Sequence, residues 1–158
     1  MITLRKACND DHPAICALAD EINRQHYTHR PDVFVEPPGG LSNAAFWQQA
    51  IDEPNGTLLV AIRDAQLCGF ISARILPDPE VPFLRPRRVC RIGTVVVKQT
   101  LHGSGVGRQL MTAIEGWAKE HAVVEIRLEV FEFNHQAKRF YDTAGFRVQS
   151  HIMSKPLD

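Results

Sequence analysis

The chain has 158 residues, the length of one domain with a hydrophobic core of its own. Its 18 basic residues balance 18 acidic ones, so the basic excess that usually marks a nucleic-acid binder is absent and no nucleic-acid partner is expected. No apolar run approaches the ~20 residues of a membrane span, and Met1-Ile2-Thr3-Leu4-Arg5-Lys6 lacks the apolar centre of a secretory signal, so no membrane partner and a cytoplasmic location are expected.

Taken in order, Ile2 to Ala7 alternates apolar and polar side chains and predicts an opening strand. Asp10 or Asp11 is placed to cap a helix, with Pro13 in its first turn and Ala14, Ile15, Leu18, Ala19 and Ile22 as its apolar stripe. That helix is predicted to end near Arg24, leaving His26 to Pro31 as a loop. His26 and His29 lie three apart but have no further ligand nearby, so no metal site is expected. Pro37-Pro38-Gly39-Gly40 breaks the chain. Ser42 or Asn43 then caps a short helix carrying Ala44, Phe46, Trp47, Ala50 and Ile51. Thr57–Ile62 and Leu67–Arg74 read as a hairpin about Arg63-Asp64-Ala65-Gln66.

Pro77, Pro79, Pro82 and Pro86 make Leu76 to Arg87 an extended loop. Arg85, Arg87, Arg88 and Arg91 are the one basic concentration, either a solvated strand edge or a seat for an anion. Cys8, Cys16, Cys68 and Cys90 show no Cys-x-x-Cys spacing and read as reduced cysteines packed like small hydrophobes. Neither repeats nor a linker divide the chain, so residues 1–158 are expected to form a single domain.

From Ile92 to Val97 a β-branched run predicts a buried strand. Gly103, Gly105 and Gly107 follow, and Val106, Leu110, Ile114 and Trp117 then recur at helical spacing. A helix start has backbone N–H groups without partners and carries partial positive charge, and glycines let an anion approach them closely. The loop is not a P-loop, because Gly107 is followed by Arg108-Gln109 rather than Lys-Ser/Thr. It is not a dinucleotide fingerprint either, because position 108 is not glycine. Further on, Val123–Phe131 alternates as another strand. Asn134 is a good N-cap for a helix with Ala137, Phe140, Tyr141 and Ala144 on one face, and Gly145 is a plausible stop. Phe146 to Met153 is the last predicted strand.

Val95-Val96-Val97 followed by His102-Gly103-Ser104-Gly105-Val106-Gly107 resembles the signature of the GNAT superfamily of acetyl-CoA-dependent N-acetyltransferases. His102 departs from it, standing where Gln or Arg is usual. The run from Leu128 through Asn134 and Phe140-Tyr141 to Gly145-Phe146 resembles the superfamily's second motif, in the right order. The likeness extends from about Leu58 to Met153. It implies an α+β domain in α/β/α layers, with a central mixed, mostly antiparallel sheet of about six to seven strands flanked by about four helices.

The resemblance also implies acetyl transfer from acetyl-CoA to a primary amine of a small molecule, by direct attack in a ternary complex. Acetylation of a protein or peptide, or a catalytically weak acetyl-CoA-binding regulatory module, are the alternatives. Val95, Val96 and Val97 would meet the cofactor from the strand. His102, Gly103, Ser104, Gly105, Val106, Gly107 and Arg108 would line the pyrophosphate site, and Asn134 and Phe140 the pantetheine and thiol end. Tyr141 is implied as the general acid toward the departing thiolate. Some members carry a Glu where Arg91 stands here, and a guanidinium cannot serve as a base. The base is therefore Glu129, or none, with the proton leaving to water. His26, Tyr27, His29 and Arg91 are acceptor-site candidates by position, and a homodimer is a further implication.

Overall fold

The structure, a computed structural model, describes residues 1–40 and 43–157. Its centre is the hairpin of β2 (Gly56–Arg63) and β3 (Gln66–Ile75), whose apolar residues face both sides of the sheet. Asp64 and Ala65 both have positive φ, 51° and 60°, giving the turn whose twist suits a two-residue hairpin. β1 (Ile2–Lys6) pairs antiparallel with β2, and β4 (Val89–Val97) antiparallel with β3. β5 (Glu125–Arg127) runs parallel to β4, so the strand order is β1-β2-β3-β4-β5.

Helices α1 (His12–His29) and α2 (Ala44–Asp52) cover one face, burying Ile15, Leu18, Trp47 and Ile51 against Leu58, Val60 and Phe70. On the other face α3 (Val106–Glu120) buries Val106, Leu110 and Ile114 against Ile71, Cys90 and Ile92. The half-buried Phe140, Tyr141 and Ala144 of α4 (His135–Thr143) pack against the same cluster. The result is the α/β/α layering anticipated above, as one α+β unit with four α-helices among the described residues.

The sheet differs from expectation in having five strands rather than six to seven among the described residues. The run Val123–Phe131 contributes only Glu125–Arg127, because β5 meets β4 over Val89–Arg91 and then diverges from it. Phe146–Met153 forms no strand, and beyond the Phe146 amide no backbone–backbone hydrogen bond holds it among the described residues. α1 is longer than predicted by five residues. The ring nitrogens of His26 and His29 bond the carbonyls of Ile22 and Gln25 at 2.9 Å, which supports the last turns of a segment that reads as loop by composition.

The N-caps also differ. Asp11 stands at the N-cap of α1 but makes no side-chain cap bond. Its carboxylate instead accepts from both Arg5 Nη atoms, at 2.6 and 2.9 Å, and from the Cys8 amide at 2.8 Å. Ser42, the alternative cap of α2, lies outside the described residues, and Asn43 occupies that position without a side-chain cap bond. Cys16, Cys68 and Cys90 are buried as expected of small hydrophobes, whereas Cys8 is exposed.

Candidate active site

The site begins with a strand that has one side free. The Lys98 amide donates to the Cys68 carbonyl at 2.9 Å, on the β3 side. Backbone groups alternate sides along a strand, so the N–H and C=O of Val95 and Val97 face the opposite edge. Beyond Arg91 that edge has no ladder partner among the described residues, because β5 pairs only as far as Arg127. Val96 does not share it. Its backbone groups face β3, and its side chain is buried in the core with α1. Gly93 marks where the strand changes course: Ser72 pairs with Thr94 and Ala73 with Ile92, leaving Gly93 as the extra residue of a bulge. The signal for this was present, since an isolated glycine inside a strand run often marks a bulge.

The free edge leads directly into the glycine loop. Gly103 and Gly105 hold φ values of +79° and +88°, a region that favours glycine, and added Cβ atoms there would stand in open space. Gly105 is the N-cap of α3, so the amides of the first turn, Val106, Gly107 and Arg108, point out of the helix end without intrahelical partners. The Val106 side chain is fully buried, leaving only its backbone for a ligand. Ser104 turns inward: its hydroxyl and its amide both donate to the Leu101 carbonyl, at 2.6 and 3.2 Å. Arg108 lies on the first turn beside a shallow groove with Leu4, Gln109 and Thr112.

His102 ties this loop to the far wall. Its Nε2–H donates to the Val97 carbonyl at 2.9 Å, and its Nδ1 accepts from Gln136 Nε2 at 3.2 Å. One tautomer satisfies both contacts. On α4, Asn134 Oδ1 accepts from the Ala137 amide at 3.1 Å, the cap expected of it. The Phe140 ring would lie 3.4 Å from a Cβ at Gly107, so the glycine there permits α4 to sit close against α3. β4, the glycine loop and α4 thus surround one gap between diverging strands.

Tyr141 is half-buried, with its ring 5.4 Å from Phe140 and 5.7 Å from Phe146. Burial pushes its phenol up to about 12, so it stays protonated at any physiological pH. Glu129, the base candidate, is exposed and forms an ion pair with Arg91 at 3.1 Å. Both are therefore engaged with each other at the point where the strands part. Two more arginines of the basic concentration are engaged within the chain. Arg87 pairs with Glu125 at 2.7 Å, and Arg88 donates to the His121 carbonyl at 2.6 Å.

Three of the four acceptor candidates, His26, Tyr27 and His29, lie at the end of α1, and the fourth, Arg91, stands on β4. His29 stacks on Phe133 at 4.5 Å, and the His26 ring lies 4.9 Å from Phe34, 5.8 Å from Phe131 and 5.5 Å from Phe133. Phe34, Phe131 and Phe133 had no role in the sequence reading; their spacing in the chain gave no hint of a shared cluster. The Nδ1–H of each histidine is donated to a helix carbonyl, which leaves both Nε2 atoms as acceptors. Tyr27 lies half-buried on the same helix. Beside Phe34 opens a cleft of about 230 Å³, lined also by Asn23, Glu36 and Pro38.

The family model described as "Acetyltransferase (GNAT) family" matches residues 16–146. No curated protein matches the chain significantly. Among solved structures, a mutant of the BH1408 protein from Bacillus halodurans is 29% identical, with a TM-score of 0.90 over 98% of this chain and 99% of that one. The aminoglycoside antibiotic 6'-N-acetyltransferase AAC(6')-Ih from Acinetobacter baumannii is 16% identical, with a TM-score of 0.77 over 100% and 99%. AAC(6')-Iy, solved with a bisubstrate analogue of CoA and acetylneamine, is also 16% identical, with a TM-score of 0.75 over 100% and 99%. At that identity the last two likenesses establish the fold alone.

Proposed function

The chain belongs to the acetyltransferase (GNAT) family, and from that premise we propose that it moves an acetyl group from acetyl-CoA to a primary amine of a small molecule. The observation that carries this reading is the free edge of β4 running into the glycine loop at the start of α3. A pantetheine arm with its amides can bond along Val95 and Val97 like an added strand. The pyrophosphate would meet the first-turn amides of α3 and the open space at Gly103 and Gly105.

In this reading the reaction is direct. The neutral amine nitrogen attacks the thioester carbonyl carbon, the C–S bond breaks, and the amide nitrogen gives up its extra proton. Holding both reactants in one gap supplies much of the rate. Tyr141 donates a hydrogen bond to the departing sulfur. The proton from nitrogen leaves through water, with Glu129 on β5's continuation as the carboxylate that relays it and Arg91 paired with it. The cleft beside Phe34 suits a small acceptor, with the Phe34 ring against its body and Glu36 near its charge. Three buried, unpaired cysteines fit the reducing cytoplasm.

The test is a melting experiment with acetyl-CoA, CoA and a nicotinamide dinucleotide, followed by thiol release against an amine panel that includes an aminoglycoside. A ligand at a hundred times its dissociation constant adds ~2.7 kcal/mol to folded stability, so both CoA species are expected to raise the midpoint and the dinucleotide to leave it. Absence of any shift with saturating CoA species would overturn the proposal. Stabilisation by CoA without thiol release for any amine would favour the regulatory module instead.

A further inference from the structure

A neutral histidine carries one N–H and one lone pair on its ring nitrogens, and at His102 both are spent. Its Nε2 faces the Val97 carbonyl at 2.9 Å, a group that only accepts, so the hydrogen stands on Nε2. Nδ1 is then the acceptor, and Gln136 Nε2 donates to it at 3.2 Å. No donor is left for a phosphate oxygen. The family resemblance sets His102 among the residues that line the pyrophosphate site, yet its ring, so engaged, offers that anion nothing.

What His102 holds is the helix across the gap. α4 buries no residue completely and leans on the core through the half-buried Phe140, Tyr141 and Ala144. Its other side-chain hydrogen bonds are local along the chain: Ala137 with Asn134, Lys138 with Glu132, Thr143 with Arg139 and Asp142 with Arg147. The bond from Gln136 to His102 joins residues 34 apart, and among the described residues it is the one side-chain hydrogen bond that ties α4 to the glycine-loop side. The Val97 carbonyl, His102 and Gln136 therefore link the free edge of β4 to the first turn of α4 in series. Those are the two walls between which a pantetheine arm would lie. The Val97 carbonyl has a second lone pair, so accepting from His102 still leaves it able to accept from a ligand amide.

We infer that His102 and Gln136 form a clasp that fixes the spacing of these walls, which makes both of them positioning residues for the cofactor's arm and neither a ligand of its pyrophosphate. The inference rests on the acetyl-CoA reading above and deepens it at that site. Its physical content is preorganisation: a gap already held at the width of an extended chain need not be ordered when the ligand enters. The same link sets where α4, and Tyr141 with it, stands relative to the thioester. A Gln at position 102, usual in the family, carries a donor and an acceptor on one planar group and can make the same two bonds, whereas Ala can make neither.

Calorimetric binding of CoA to the full chain tests this with His102→Ala, Gln136→Ala and the double variant, alongside 3′-phospho-ADP, which is CoA without its arm. Each single variant is expected to bind CoA about 5- to 10-fold more weakly, the loss of one hydrogen-bonded link. The double variant should lie within about twofold of either single one, because the same link is broken in all three. Affinity for 3′-phospho-ADP should change by less than about twofold, and His102→Gln should bind CoA within about threefold of wild type. Melting curves without ligand show that each variant has folded. The inference is overturned if His102→Ala weakens CoA and Gln136→Ala does not, if the two losses multiply in the double variant, or if 3′-phospho-ADP is weakened as much as CoA. Wild-type affinity in every variant overturns it as well. A wild-type chain that binds no CoA sinks this inference and the acetyl-CoA reading together, whereas wild-type binding with independent losses sinks the clasp alone.

Discussion

Replacing Tyr141 by Phe removes one oxygen from a half-buried ring whose hydroxyl has no hydrogen-bond partner among the described residues. The ring contacts with Phe140 and Phe146 survive, so folding stability and acetyl-CoA affinity are expected to change little. The effect on turnover follows from the phenol's environment. Burial raises its pKa to about 12, against ~8.5 for a reference thiol, so complete transfer to a thiolate is uphill by roughly 5 kcal/mol. In the proposed reaction Tyr141 therefore acts chiefly by hydrogen-bonding the sulfur as negative charge develops there. A bond to a charged group is worth ~1.5–3 kcal/mol, which corresponds to a kcat loss of about 10- to 150-fold at 1.36 kcal/mol per decade. The assay is thiol release at saturating amine, with the amine constant and the melting temperature measured alongside. The wild-type profile should show no alkaline fall from this phenol below about pH 11. Turnover of the Phe variant within twofold of wild type would refute the argument, as would a large loss accompanied by an equal loss of acetyl-CoA affinity.

Other expectations follow from particular contacts. Gly105→Ala forces a Cβ into φ +88° and into the space before α3; it should cost ~1–2 kcal/mol of stability by urea titration and weaken CoA binding about tenfold or more by calorimetry. Ala65→Gly relieves a residue at φ 60° in the β2–β3 turn and should raise stability by ~0.5–1 kcal/mol, or roughly 1–4 °C in melting temperature. The bidentate Arg5 pair and the Cys8 amide hold Asp11 down at about 2, below its ordinary 3.8. A depressed carboxylate contributes its stability above the unfolded value and loses it as pH falls through the folded one. With Arg5 half in solvent, Asp11→Asn should therefore cost ~1–2 kcal/mol at pH 7, and the gap should close between about pH 4 and 2 in urea titrations.

The parts of the molecule that the sequence announces are those whose signal is local. The β-branched run ending at Val97, the alternating glycines and the stripe from Val106 to Trp117 each need only a few neighbours in the chain to be recognised. The resemblance to the family rests on them and on the run from Leu128 to Phe146, within the residues 16–146 that the family model matches. The end of α1 is not legible in the sequence because its support is not local. His26 and His29 sit in a polar stretch, but their rings pack on Phe131 and Phe133, some hundred residues further along the chain. The partnership of Asp11 with Arg5 was missed for a similar reason: a carboxylate at a helix start is read as a cap until a guanidinium from β1 reaches it.

The two misread strands have one cause, and it bears on function. Period-two alternation reports that a segment is fit to be a strand; it does not report whether a partner lies within reach. Residues Val123–Phe131 and Phe146–Met153 both carry the pattern, and only Glu125–Arg127 finds a ladder. The Gly93 bulge and the ion pair of Arg91 with Glu129 sit where β5 leaves β4, so the divergence is built into the chain rather than being a frayed end. That divergence frees the inner edge at Val95 and Val97 for a substrate with amides of its own. It leaves the outer edge of β5 equally free. The inner edge, bordered by the glycine loop and α4, is the one the proposed cofactor site uses.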